Sequence, residues 1–155
     1  MIGKGGGSRC GRLFAATTVL VMIGCGVPHW PVEGPLIAPF GVRWTGSGLN
    51  VHRGVDIVVP TGTPVYAMTG GKVRFTGWMT DYGNVVWVDH SDAVVTVYAH
   101  LSQILVVEGQ SVTREAALGL SGESGNASGP HLHFEIRGRG RHMDPVALLG
   151  GPPGL

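Results

Sequence analysis

The chain has 155 residues, 43% of them hydrophobic and 14% charged, with a formal net charge of +1. That length suits one hydrophobic core and argues against a second domain, while the abundance of Val, Leu and Ala argues against a disordered chain. A balance so near neutral argues against nucleic acid as a partner, and a monomer is expected.

In chain order, Lys4, Arg9 and Arg12 precede an apolar run from Leu13 to Gly24 that closes in small residues, the pattern of a signal peptide over residues 1–24. The run is roughly a dozen residues, short of the about 20 that a spanning helix needs. Export to the cell envelope is therefore expected, with the product in the periplasm, tethered to the membrane or secreted. Cys10 would be lost on processing, so Cys25 stands alone and no intramolecular disulfide is expected. Val21-Met22-Ile23-Gly24-Cys25 resembles a bacterial lipoprotein signal with Cys25 as the lipidated mature N-terminus, although Met22 stands where Leu is more usual. Ordinary cleavage nearby, with Cys25 an incidental thiol, is the alternative.

Residues 25–35 are rich in Pro and Gly and read as a spacer, the folded domain is expected over residues 36–150, and residues 151–155 read as a flexible tail. Runs of β-branched and aromatic residues between turn residues predict strands at Thr63–Ala67, Lys72–Thr76, Asn84–His90, Val94–His100 and His131–Arg137. This is the rhythm of a mainly β protein, an antiparallel sheet or sandwich with little helix. One short helix is expected from Pro145, capped by Asp144. Arg137, Arg139 and Arg141 form the one basic stretch; with no interleaved aromatics it reads as a solvated turn.

Chemistry concentrates in the histidines. In His131-Leu132-His133-Phe134-Glu135, period-two alternation puts both imidazoles and the carboxylate on one face, with neighbours about 6.6 Å apart. An isolated His-x-His is more often two polar residues on a solvent face. His52 and Asp56, four residues apart around Gly54, can converge on one cation. With one more imidazole they make three protein ligands and an open position, the arrangement of a catalytic zinc site. The N, N, O donor set favours zinc and leaves Mn²⁺ and Co²⁺ as alternatives.

His52-x-x-x-Asp56, Tyr98-Ala99-His100-Leu101 and Gly129-Pro130-His131-Leu132-His133-Phe134-Glu135 together resemble the lysostaphin-type (LytM-like) metallopeptidase family. The likeness extends through Pro39-Phe40-Gly41-Val42-Arg43, Gly62-Thr63-Pro64-Val65-Tyr66-Ala67, Tyr82-Gly83-Asn84 and Gly125-Asn126-Ala127-Ser128-Gly129. The resemblance implies an antiparallel β fold with an open metal-binding groove and one Zn²⁺ held by His52, Asp56 and His133. It also implies catalytic roles for His100 and His131, and hydrolysis of peptide stems or cross-bridges in bacterial peptidoglycan. Some relatives have lost ligands and act as silent activators of other wall enzymes; here all five positions are filled.

No His-Glu-x-x-His helix is present, so the general base of that peptidase class is absent. Zinc would lower the pKa of its bound water to about 7 and polarise the scissile carbonyl; His100 and His131 are the candidates for proton transfer. Glu135 reads as the residue that orients an imidazole. Tyr98 is core or substrate-facing, sharing a face with His100 by alternation. His29, His90 and His142 have no ligand partner at suitable spacing. Groove walls are expected from Trp44 to Asn50, around Trp78 to Tyr82, and from the stretch Gly122 to Gly129. Two further readings compete: a silent wall-binding or amidase-activating domain, and a zinc D,D-dipeptidase or carboxypeptidase. The Glu-x-x-His spacing of the latter is not found.

Overall fold

The computed structural model describes residues 26–46, 48–90, 93–151 and 153. The signal-peptide reading and Cys25 lie outside the described residues.

The architecture is mainly β, and every strand pair is antiparallel. The large sheet runs β1 (Leu36–Ala38), β4 (Val55–Ile57), β12 (Leu132–Gly138), β8 (Val94–Leu101), β7 (Gly83–Asp89), β6 (Gly71–Met79) and β10 (Ser111–Val112). Strand β13 (Arg141–Met143) adds to β12. A three-stranded sheet of β5 (Pro64–Tyr66), β11 (Ala117–Leu120) and β9 (Gln103–Ile104) packs Val65 and Leu118 against the same core. The hairpin of β2 (Gly41–Thr45) and β3 (Gly48–His52) stands apart as a sheet of its own.

All five strands read from the sequence form. The short pieces β1, β4, β9 to β11 and β13 carry too few residues to show a period, so only their pairing reveals them; β2 and β3 do alternate, through Val42 and Trp44 and through Leu49 and Val51, and form a hairpin that the strand reading left out. The central strands have apolar residues on both faces, as strands covered on both sides do. One face carries the main core, with Val86, Tyr98, Leu101, Leu132 and Phe134; the other carries a smaller cluster around Val85, Val97 and Ala99.

The Pro-rich segment before β1 packs on the domain. Its His29 N–H donates to the Met68 carbonyl, the Tyr66 N–H donates to Pro31, Val32 is buried, and Trp30 meets Phe134 edge-on at 6.2 Å. At the other end α1 (Pro145–Leu149) forms as expected. The Asp144 carboxylate accepts from the Val146 N–H, and Gly150 ends the helix in the left-handed conformation.

Candidate metal centre

Three strand segments bring the centre together. His52 closes β3, Asp56 lies in β4 after the tight link Arg53-Gly54, and His133 on β12 sits directly opposite Asp56 in the register. Gly54 permits that approach, since a Cβ there would lie 2.3 Å from the Phe134 carbonyl oxygen and 2.8 Å from Glu135 Cγ.

One atom each of His52, Asp56 and His133 lies within 4.8 Å of the others. His133 Nδ1 is 2.7 Å from Asp56 Oδ1, and His52 Nε2 is 3.2 Å from both Asp56 Oδ1 and His133 Nδ1. The opposite ring nitrogens assign the protons. His52 Nδ1 lies 2.9 Å from the Pro39 carbonyl and His133 Nε2 lies 3.1 Å from Glu135 Oε1, and those oxygens only accept. Two imidazole lone pairs and a carboxylate therefore face one another, an arrangement stable around a cation or a shared proton. Hard and borderline N, N, O donors fit a divalent ion of the zinc type.

Burial pushes Asp56 up, but when protons rather than a cation lie between the groups, hydrogen bonds from His133 and His52 outweigh it and hold the carboxyl well below the usual range. Burial pushes His133 down, and hydrogen bonds to Asp56 and Glu135 outweigh that too, raising its affinity for a positive charge.

His100 and His131 stand beside this cluster with ring centroids 4.7 Å apart. The Nδ1 of His100 lies 2.8 Å from the Ser124 carbonyl and that of His131 lies 2.8 Å from the Gly129 carbonyl. Each Nδ1 therefore carries a proton, and in the neutral tautomer that this leaves the Nε2 is the ring's lone pair; the His131 Nε2 is 3.8 Å from Asp56 Oδ1. Burial lowers the His100 pKa, reinforced by the neighbouring His131 and His133.

His100 reaches this face through a bulge. Asn84 pairs with Leu101 but Val86 pairs with Tyr98, so Val85 alone faces both Ala99 and His100. His100 takes φ 60, a conformation costly for a non-glycine residue. Simple alternation puts Tyr98 and His100 on one face, and the bulge breaks that rule. The substrate-facing expectation for Tyr98 is therefore corrected: the side chain is fully buried, with its Oη accepting from the Met68 N–H and from Thr96 Oγ1. Burial pushes its phenol up to about 12.

Glu135 lies behind His133 and is fully buried. Its Oε1 accepts from Tyr82 Oη at 2.8 Å as well as from His133, and Oε2 accepts from Arg137 Nε at 2.7 Å. His142 Nδ1 stands 3.3 Å from Oε2, at ion-pair distance without hydrogen-bond geometry. Burial pushes this carboxyl up, yet the hydrogen bonds from His133, Arg137 and Tyr82 outweigh it and bring the pKa to about 2. Sequence reasoning placed Tyr82 in a groove wall but missed its hold on Glu135, and it missed the same role of Arg137 and His142. Only Arg137 carried a signal, since it follows Glu135 by two in the same strand.

The cluster opens into a groove of about 430 Å³, lined also by Arg43, Asn50, Arg53, Asp81, Tyr82 and Asn126. Of the expected walls, Asn50, Tyr82 and residues 126–128 line it, whereas Trp44 and Trp78 are 77% and 61% exposed and do not.

Two imidazoles and a carboxylate that could hold a divalent ion, flanked by two further imidazoles in an open groove of an antiparallel sheet, are the kind of centre that metallopeptidases use. The chain matches the model of peptidase family M23 over residues 50–145 and belongs to that family. It is 40% identical over 125 residues to the uncharacterized lipoprotein YgeR of Escherichia coli, a match covering 80% of this chain and 47% of the relative. It is 47% identical over 95 residues to the peptidoglycan DD-endopeptidase ShyA of Vibrio cholerae, covering 61% and 22%. A zinc-containing peptidase from Vibrio cholerae superposes with a TM-score of 0.72 at 33% identity, over 81% of this chain and 39% of that one. The chain thus spans less than half the length of the curated relatives it matches.

Proposed function

We propose that this chain is a zinc-dependent endopeptidase that hydrolyses peptide cross-links in bacterial peptidoglycan. The observation that carries the reading is the convergence of His52, Asp56 and His133 within 4.8 Å, with their remaining ring protons turned outward. The likeness to a DD-endopeptidase and to a zinc-containing peptidase supports it.

One zinc per chain is held by His52, Asp56 and His133. Bound there, it supplies Lewis-acid polarisation of the scissile carbonyl and acidifies the attacking water. In their neutral forms His100 and His131 present Nε2 lone pairs to the same space, so one ring can accept a proton from the attacking water, and a ring that carries a proton on Nε2 can donate it to the carbonyl oxygen as that oxygen gains charge. Glu135, buried and ionised, holds His133 rather than touching substrate. The chain works as a monomer in the cell envelope, lipid-anchored through Cys25; the lipoprotein among its relatives supports this placement.

The test is digestion of defined cross-linked muropeptides, with metal content measured in parallel, by wild type and His133→Ala. One zinc per chain and cross-link cleavage are expected, both lost in the variant. Bound zinc with no cleavage, where a known endopeptidase succeeds, would make the chain a silent wall-binding domain. Release of terminal D-alanine alone would make it a carboxypeptidase.

A further inference from the structure

The groove beside the metal cluster holds two guanidinium groups that the hydrolytic reading leaves unused. Arg43 lies on β2 directly opposite Asn50 of β3, and Asn50 shares a face with His52 by alternation. Arg43 is therefore directed to the metal side of the hairpin, while its neighbours Val42 and Trp44 are exposed on the other. Its Nε is buried without a hydrogen-bond partner among the described residues. A buried donor left unpaired in a native fold calls for an explanation. Arg53, next to the ligand His52, lines the same groove and is exposed. Neither guanidinium forms a hydrogen bond or ion pair with any described residue.

Acidic groups in the lining do not neutralise them. Asp56 belongs to the metal cluster, and Glu135 is engaged by Arg137, His133 and Tyr82. Asp81 lines the groove too, but lies outside ion-pair distance of either arginine. With Asp56 counted in the metal cluster and Glu135 with Arg137, the lining leaves Arg43 and Arg53 against Asp81 alone, and an arginine fork suits a carboxylate.

We infer that Arg43, assisted by Arg53, is a specificity-determining anion subsite that reads a free substrate carboxylate beside the scissile amide. The inference rests on the endopeptidase reading only for the position of the scissile bond. It separates two classes of cross-link. A glycine bridge carries no carboxylate there, whereas a direct cross-link to a diamino dicarboxylic acid keeps one on the carbon that bears the amide nitrogen. The subsite favours the second class.

The experiment uses two synthetic D-alanyl-diaminopimelate cross-linked peptides, identical except that the carboxyl flanking the scissile amide is free or a carboxamide. A second pair carries an N-methylated scissile amide for equilibrium binding. Wild type is expected to bind the free acid at least about tenfold more tightly than the carboxamide, the lower range for a hydrogen bond to a charged group. The preference should appear in KM rather than kcat. Arg43→Ala should level the two peptides, Arg43→Lys should keep part of the preference, and unchanged melting temperatures should show that both variants fold.

Equal binding of acid and carboxamide by wild type overturns the subsite, as does full discrimination surviving in a folded Arg43→Ala, Arg53→Ala double variant. Discriminating binding with cleavage of neither substrate overturns the endopeptidase reading and leaves the subsite standing. Cleavage of both with equal kcat/KM does the reverse.

Discussion

Tyr98 and Glu135 are both fully buried polar residues, yet they answer to different neighbours. The Tyr98 hydroxyl belongs to a chain of hydrogen bonds from His90 through Thr96 to the Met68 backbone, all on the core side of the sheet. Tyr98→Phe should therefore lower stability by about 1–3 kcal/mol, as buried donors lose their acceptor, with no change in cleavage kinetics. A raised KM at unchanged melting temperature would return Tyr98 to the groove. Glu135 instead grips the outward nitrogen of His133. In Glu135→Gln the acceptor stays but loses its charge, and zinc affinity measured by chelator competition should fall about 10–100-fold. Wild-type affinity in a folded variant would remove Glu135 from the metal's support. The alternation of His131, His133 and Glu135 was legible in the sequence because β12 is regular and the chain enters it extended, with His131 bridged to Gly122. The sequence left Tyr98 between core and groove for the opposite reason: one extra residue in β8 reverses the face at His100.

At the scale of the elements, the centre depends on two local departures from regular strand. The first is the bulge in β8, where His100 sits at φ 60. Asn tolerates that conformation and β-branched residues do not. His100→Val should be less stable than His100→Asn by about 1–2 kcal/mol in denaturant unfolding, although both lose the imidazole. Equal stabilities would mean that the bulge relaxes on substitution and stores no strain. The second is the contact of Gly54 with the backbone of β12. Gly54→Ala must push β4 from β12, so we expect a loss of about 1–3 kcal/mol, the range for overpacking, together with weaker metal binding as Asp56 leaves His133. Unaltered zinc affinity would show that the two strands tolerate separation. Neither departure has a period or a propensity, so neither is visible in a strand pattern.

Across the whole molecule, one face of the large sheet is spent on the core and the opposite face carries the metal cluster, with the β2–β3 hairpin and residues 126–128 as walls. No helix among the described residues is long and apolar enough to cross a membrane. If Cys25 is the anchor, Cys25→Ser should move the protein from the membrane pellet to the soluble fraction of a cell lysate; an unchanged distribution would dismiss the lipid. By itself the sequence determined the mainly antiparallel fold and the capped terminal helix, and the family resemblance of its motifs pointed to the five His and Asp residues that the fold brings together. Each is written in local signals: strand period, cap chemistry and motif order. Only the tertiary structure decided that Tyr98 lies in the core, that Tyr82, Arg137 and His142 surround Glu135, and that Arg43 faces the groove. Those relations join residues distant in the chain, and they depend on register, on one bulge and on one glycine contact, which a linear pattern does not encode.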